Sequence, residues 1–359
     1  MTELILHIGH PKTGTTALQR GYLRQRRELA AKGVLYPYLN KESDRHTTLV
    51  PALIGKELVT GDVAFYPHWP GGNVMGQSLH IWQDVQAQIA EHQPNKVVLS
   101  GEGFFQLRRR WQMEAMCERL SAVFDKITVV AYLRSPQSRH LSSYQQGLKT
   151  AGNRAFLPSQ PYMPVVSVWS RFGPGPLDLH IFDRKALISG DVVEDFATRY
   201  TPEVLDEIRA RPNRELNTSL SAEAMAVLET HIHRVDELTG AERRAAWQPL
   251  REIMLQLDQS VPGFTRPRLT VEASLKIQRR SLDIRWLQTD HGITFEDVDY
   301  GVVSTEETED RWRPTIAELC TVDAARRNAL AEALEQELAR PTVRSANWVT
   351  RVLRRMVRG

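Results

Sequence analysis

Leu4-Ile5-Leu6-His7-Ile8-Gly9-His10-Pro11-Lys12-Thr13-Gly14-Thr15-Thr16 opens the chain and decides how the rest is read. Leu4–Ile8 is short and apolar, the pattern of a buried strand. After Thr16, Leu18, Tyr22 and Leu29 fall on one helical face, and Gly33 is placed to stop that helix as a left-handed cap. Strand, glycine-bearing loop and helix together form an anion receptor. Gly9 and Gly14 let the backbone come close to a ligand. The N–H groups of the helix start, with the helix dipole, favour negative charge. Lys12 adds a point charge, and Thr15 and Thr16 add hydroxyl donors. The bland alternative is an ordinary strand–turn–helix connection that carries a lysine. The loop departs from a Walker A sequence, in which lysine directly follows the second glycine; here Lys12 precedes Gly14 by two. The clearest strand, Ile127–Leu133, ends in Arg134 rather than in a magnesium-holding aspartate. The expected ligand is therefore a phosphate whose chemistry needs no metal.

Working outward, Val34–Tyr36, Lys96–Ser100, Ile127–Leu133 and Leu177–Phe182 read as strands. Helical patterns stand at Leu79–Glu91, Met113–Phe124, Ser138–Leu148 and Asp191–Tyr200, and Asn40–Gln77 looks irregular. Alternation of this kind predicts an α/β fold with a P-loop NTPase-like central parallel sheet flanked by helices. Beyond Asn213 strand signals are scarce. Ser221 is a helix cap, followed by Met225, Leu228, Ile232, Val235 and Leu238 on one face and Gly240 at the expected end. The predicted organisation is an α/β core over 1–212 and a mostly helical region over 213–359.

The whole chain has 359 residues, 42% hydrophobic and 25% charged, a globular composition that excludes disordered and collagen-like classes. No apolar run approaches the roughly 18–20 residues that span a bilayer, and the first residues lack the pattern of a secretory signal. Two distant cysteines, Cys117 and Cys320, make neither a disulfide framework nor a cysteine zinc site. A cytoplasmic location is the expectation. The formal charge is +3, and the segment 342–359 holds five arginines and no acid. Without those five charges the body is slightly acidic, so nucleic-acid binding is not expected. In that tail Trp348, Val349, Val352, Leu353, Met356 and Val357 recur at helical spacing between the arginines. Such a basic amphipathic helix either lies on an anionic membrane surface, here the inner one, or docks on its own domain.

The segment His7–Gln19 resembles the 5′-phosphosulfate loop of sulfotransferases that use 3′-phosphoadenosine 5′-phosphosulfate (PAPS), especially a bacterial branch similar to carbohydrate sulfotransferases. A second segment, Leu133-Arg134-Ser135-Pro136-Gln137-Ser138-Arg139-His140-Leu141-Ser142, resembles that family's 3′-phosphate motif, an arginine at a strand end and a serine eight residues on. An arginine fork with a hydroxyl suits a phosphate dianion, although arginines at strand ends also form structural ion pairs. Weaker likeness continues through Trp169–Gly173, Gly190–Phe196 and Asn217–Ser221, so that it covers about residues 1–225. The basic, glycine-rich cofactor-closing segment of the cytosolic animal enzymes has no counterpart.

The resemblance implies metal-independent transfer of the sulfuryl group of PAPS to a hydroxyl or an amine of a carbohydrate, lipid or small-molecule acceptor, leaving 3′-phosphoadenosine 5′-phosphate (PAP). It implies that Pro11, Lys12, Thr13, Gly14, Thr15 and Thr16 hold the 5′-phosphosulfate and that Arg134 and Ser142 hold the 3′-phosphate. Lys12 also faces the leaving group. Two residues qualify as the base. Glu102 follows the third strand between Gly101 and Gly103, beside Phe104 and Phe105, where a carboxylate is partly desolvated. His46, in Asp44-Arg45-His46-Thr47, follows the second strand, and imidazole is a good base near neutral pH. The bland readings are a solvated loop carboxylate and a surface histidine. Phe65–Gly72 has the composition of a lid over the acceptor or of an anchored loop, and Glu306–Asp310 of a solvated acidic loop. Two rival functions remain: a P-loop small-molecule kinase, and a non-catalytic anion-binding protein.

Overall fold

The computed structural model describes residues 1–39, 46–56, 73–150, 161–211, 219–235, 238, 240–304 and 312–340. The acidic stretch 306–310, the segment 65–72 and the basic tail 342–359 lie outside the described residues. Five strands form one parallel sheet in the order β2-β3-β1-β4-β5: β1 Glu3–His7, β2 Val34–Leu35, β3 Lys96–Ser100, β4 Lys126–Leu133 and β5 Leu177–Ile181. In β1, Ile5 pairs with Val98 on one side and Thr128 on the other. Both faces of the central strands are covered, as a parallel sheet requires. On one face Ile5, Val98, Val130 and Tyr132 pack with Leu18 and Tyr22 of the helix Thr15–Arg24 and with Val193 and Phe196 of the helix Val192–Tyr200. The alternate residues Leu6, Leu99, Val129 and Leu133 are equally buried.

From β1 the chain runs to β2 and back to β3 on one side; β4 and β5 then extend the sheet on the other. The order thus reverses between β1 and β4. In open α/β sheets ligands bind outside the carboxyl ends of strands at such a point. Here those two ends carry the Gly9–Thr16 loop and Arg134.

Several elements differ from the sequence reading. The first helical stretch is two helices, Thr15–Arg24 and Arg26–Ala31, broken at Gln25, whose side chain bonds the Gly21 carbonyl. Gly33 does adopt the left-handed conformation, at φ 80°. Part of the stretch expected to be irregular is ordered: His46–Leu49 forms a 3-10 turn and Val50–Ile54 a helix with proline in its first turn. The helix capped by Ser221 ends at His231 and tightens into the 3-10 turn Ile232–Val235. Thr230 Oγ1 and His231 Nδ1 both bond the Val227 carbonyl, which competes with the regular helical pattern. Gly240 begins the helix Gly240–Ser260 rather than ending its predecessor.

The chain divides into two compact units, each of three segments. The first comprises Met1–Ser135, Gln160–Glu215 and Asp283–Val298; the second comprises Pro136–Ser159, Leu216–Leu282 and Asp299–Gly359. The division is therefore not a single cut near residue 212. Buried Asp283 explains why its segment returns to the first unit. Its Oδ2 accepts the Tyr162 and Met163 N–H groups at 2.6 and 2.8 Å, capping the helix Met163–Phe172.

The second unit is helical among its described residues. Pro136–Lys149, Ala222–His231, Gly240–Ser260, Val271–Arg279 and Ala324–Ala339 enclose Met225, Leu228, Trp247, Leu250, Leu330 and Leu334. Within it Arg326 is buried. It donates to Asp258 Oδ1 at 2.9 Å, to Ser221 Oγ at 2.7 Å and to the Asp258 and Pro262 carbonyls, and it pairs with Glu223 at 3.3 Å. No helix of the described residues is long and apolar enough to cross a membrane. Removing one partner of a buried ion pair strands the other. Arg326→Ala is therefore expected to lower the unfolding free energy by about 3–5 kcal/mol, read as a reduced denaturation midpoint in urea.

Candidate functional site

The loop after β1 holds three left-handed residues, Gly9 (φ 52°), Lys12 (φ 68°) and Gly14 (φ 78°). Glycine takes that conformation freely, whereas lysine does so at a cost. Two hydrogen bonds hold the turn: Thr13 Oγ1 donates to the His10 carbonyl at 2.6 Å, and Arg134 Nη1 donates to the Lys12 carbonyl at 3.0 Å. Gly14 caps the helix Thr15–Arg24 without a side-chain acceptor. A Cβ on Gly14 would stand 2.7 Å from Val192 Cγ1 and 2.9 Å from the Phe182 ring, so glycine is also a steric need there.

The predicted loop residues take different places. Pro11, Lys12 and Gly14 are half-buried, Thr13 and Thr15 are buried and Thr16 is exposed. Thr15, at 2% exposure, leaves its Oγ1 buried with no hydrogen-bond partner. A buried hydroxyl without a partner costs about 1–3 kcal/mol, and this one stands at a helix N-terminus that already favours an anion. Burial lowers the Lys12 pKa from its ordinary value; the nearby Glu102 carboxylate opposes that shift and the Arg134 guanidinium adds to it.

Arg134 leaves the end of β4. Its guanidinium lies over the Phe182 ring, 5.3 Å from the centroid, and its Nε is buried without an acceptor. Its carbonyl accepts the Tyr162 hydroxyl at 2.6 Å, and the next residue, Ser135, donates to Asp297 Oδ2 at 2.6 Å. Ser142 is half-buried on the helix Pro136–Lys149, which belongs to the second unit.

Glu102 opens a short 3-10 turn, Glu102–Gln106, directly after β3 and is half-buried. Its Cα would lie 3.4 Å from a Cβ on Gly9, so the loops after β1 and β3 are in contact. Gly101 and Gly103 on either side permit a second close approach. Their Cβ atoms would stand 2.7 Å from Thr47 N and 2.4 Å from Thr47 Cγ2.

His46 is fully buried rather than at a loop surface. Its Nδ1 accepts the Ser100 N–H at 2.9 Å, so Nε2 carries the proton, which it donates to the Pro37 carbonyl at 2.9 Å. Burial pushes its pKa down to about 4. His7, also fully buried, bonds Ser100 Oγ through Nδ1 at 2.8 Å and is pushed by burial to about 3. Gln19 Nε2 donates to the Ser100 carbonyl at 2.9 Å. Sequence reasoning missed Ser100, Thr47 and Tyr162. The glycine pair around Glu102 was a signal for the second of these, since paired glycines announce a close backbone approach; the other two residues carry no such local mark. The described residues contain no group of three or more histidine, cysteine or acidic side chains able to hold a metal ion.

No family model matches the chain, and neither a curated protein nor a solved structure matches it.

Two expectations follow. Gly101→Ala places a Cβ against backbone that cannot swing away, so it should cost about 1–3 kcal/mol by chemical denaturation. His7 and His46 are neutral in the folded protein below the ordinary histidine value of 6.5. Between pH 6.5 and about 4 the unfolded chain binds protons that the folded chain does not, so these histidines make stability rise with pH across that window and level above it. Denaturation midpoints from pH 4.5 to 7.5, compared with a His46→Asn variant, check the slope.

Proposed function

We propose that the chain is a PAPS-dependent sulfotransferase with a P-loop NTPase-like core, transferring a sulfuryl group to a hydroxyl or amine of a carbohydrate, lipid or small-molecule acceptor. The observation that carries this reading is the unsatisfied Thr15 hydroxyl in a left-handed loop that also presents Lys12 and is tied to Arg134. A phosphate oxygen there would satisfy Thr15 Oγ1, the helix-start N–H groups and the lysine together. The likeness of His7–Gln19 and Leu133–Ser142 to the family's two phosphate motifs supplies the identity of the nucleotide.

PAPS, when bound, supplies a sulfuryl group on a phosphate leaving group. Pro11–Thr16 bind the 5′ end, and Arg134 binds the 3′-phosphate through the guanidinium edge not used on the Lys12 carbonyl. Lys12 meets the charge that develops on the leaving phosphate. Glu102 takes the acceptor proton as the acceptor oxygen bonds to sulfur. Between the two candidate bases the geometry favours Glu102. The Nδ1 lone pair of His46 is occupied by the Ser100 N–H, and its Nε2 already carries a proton.

A second reading has one observation in its favour. Glu102 stands at the end of β3, the strand next to β1, where a carboxylate could hold magnesium for a kinase.

Calorimetric titration with PAP, ATP and AMP, with and without magnesium, separates the two. The expected result is tight binding of PAP that magnesium does not change, lost in Arg134→Ala. Preference for ATP with magnesium would overturn the proposal in favour of the kinase, and absence of nucleotide binding would favour an anion-binding protein. With PAPS, Lys12→Ala should slow turnover by roughly a hundredfold or more.

A further inference from the structure

A base must be held in place, and Glu102 sits at the first residue of a short 3-10 turn, just past the end of β3. It leaves β3 at Ser100 and stands between two glycines, the residues that restrain a backbone least. The Gly101 N–H donates to the His7 carbonyl at 3.1 Å, and two further hydrogen bonds fix the flanks of Glu102, both accepted by consecutive residues of the turn His46–Leu49. Ser100 N–H, two residues before Glu102, donates to His46 Nδ1 at 2.9 Å. Gly103 N–H, one residue after it, donates to Thr47 Oγ1 at 3.1 Å. The turn is anchored in its own right: His46 donates from Nε2 to Pro37, and the Tyr36 ring lies 4.5 Å from the imidazole. Gly101 and Gly103 have no side chains because Thr47 fills the space those side chains would need.

We propose that His46 and Thr47 form a positioning clamp that holds Glu102 against the Gly9–Gly14 loop at the distance from Lys12 at which it works, without touching substrate themselves. The inference rests on Glu102 being the base, and it replaces a chemical part for His46 with a mechanical one.

The clamp has a readout that needs no acceptor. Among the described residues, burial lowers the pKa of the Lys12 ammonium, the Glu102 carboxylate raises it and the Arg134 guanidinium lowers it further. Lys12 therefore reports where Glu102 stands. Its titration is followed by competitive amine acetylation against pH with peptide mass spectrometry. Glu102→Gln should lower the Lys12 midpoint. Thr47→Val, which keeps the side-chain shape and removes the acceptor, should move it the same way by a smaller amount. Thr47→Ser should restore the wild-type value, and Thr47→Val should add nothing in a Glu102→Gln background. With PAPS turnover as the second readout, Thr47→Val should lower kcat by roughly tenfold or more with KM for PAPS unchanged. His46→Asn, whose amide oxygen replaces Nδ1 as acceptor, should retain more activity than His46→Gln, whose oxygen takes the place of Nε2.

A Lys12 midpoint that is unmoved in Thr47→Val, or a Thr47→Val shift that persists undiminished in Glu102→Gln, overturns the clamp. A loss of the lower pH limb of turnover in His46→Asn, with the Lys12 titration unchanged, also overturns it by making His46 the base. If PAP fails to bind the wild-type protein while the Lys12 shifts follow the expected pattern, the clamp stands and the sulfotransferase reading falls.

Discussion

The carboxyl edge of a parallel sheet ends in polar groups that no neighbouring strand satisfies, and in this chain the demand converges on Ser100. Its N–H goes to His46, its carbonyl accepts from Gln19 and its hydroxyl bonds His7. Ser100 is fully buried, so water cannot substitute. Leaving any of these groups unpaired would cost about 1–3 kcal/mol. Three segments are thereby obliged to meet at one residue: the end of β1, the helix that follows it and the turn after β2. The Gly9–Thr16 loop and the Glu102 turn touch because they are the two continuations of that junction.

Buried Arg326 and half-buried Arg134 are treated in opposite ways. Arg326 is surrounded by carboxylates and carbonyls that use nearly all of its donors. It is a finished structural network, with nothing left to offer a ligand. Arg134 gives one hydrogen bond to the Lys12 carbonyl, lies over an aromatic ring and keeps a buried Nε without an acceptor. The Asp183 and Asp297 carboxylates also act on it, and at the switch point between β1 and β4 what remains without a protein acceptor is its Nε. The same contrast separates Thr13, whose hydroxyl closes the loop on the His10 carbonyl, from Thr15, whose hydroxyl is buried and unused.

Much of this was legible from sequence because it is written locally. Strand-length apolar runs gave β1, β3 and β4 to within a residue or so, and Gly33 marked a positive φ. Residues 46–54 were harder, since a short turn and a five-residue helix carry too little periodicity to stand out from loop. Nor does the sequence reveal that Asp283 caps a helix more than a hundred residues earlier, which is why a cut near 212 could not describe the two interleaved units. Residue identity names the available chemistry, and long-range contacts decide which part of it is used.

His46 shows how that decision is made. As a residue type histidine is a good base near neutral pH, and its position after β2 invites the role. Its surroundings remove each requirement in turn. Burial disfavours the charged form that a base must become. The Ser100 N–H occupies the lone pair that would take the proton, and the Pro37 carbonyl fixes the tautomer so that the other nitrogen cannot take its place. Glu102 is an ordinary carboxylate, yet it is half-buried, within electrostatic reach of Lys12 and held between two anchored amides. A proton acceptor needs an open lone pair and a fixed position. At this sheet edge the imidazole has given up the first, and under the proposed reading it helps to provide the second for Glu102.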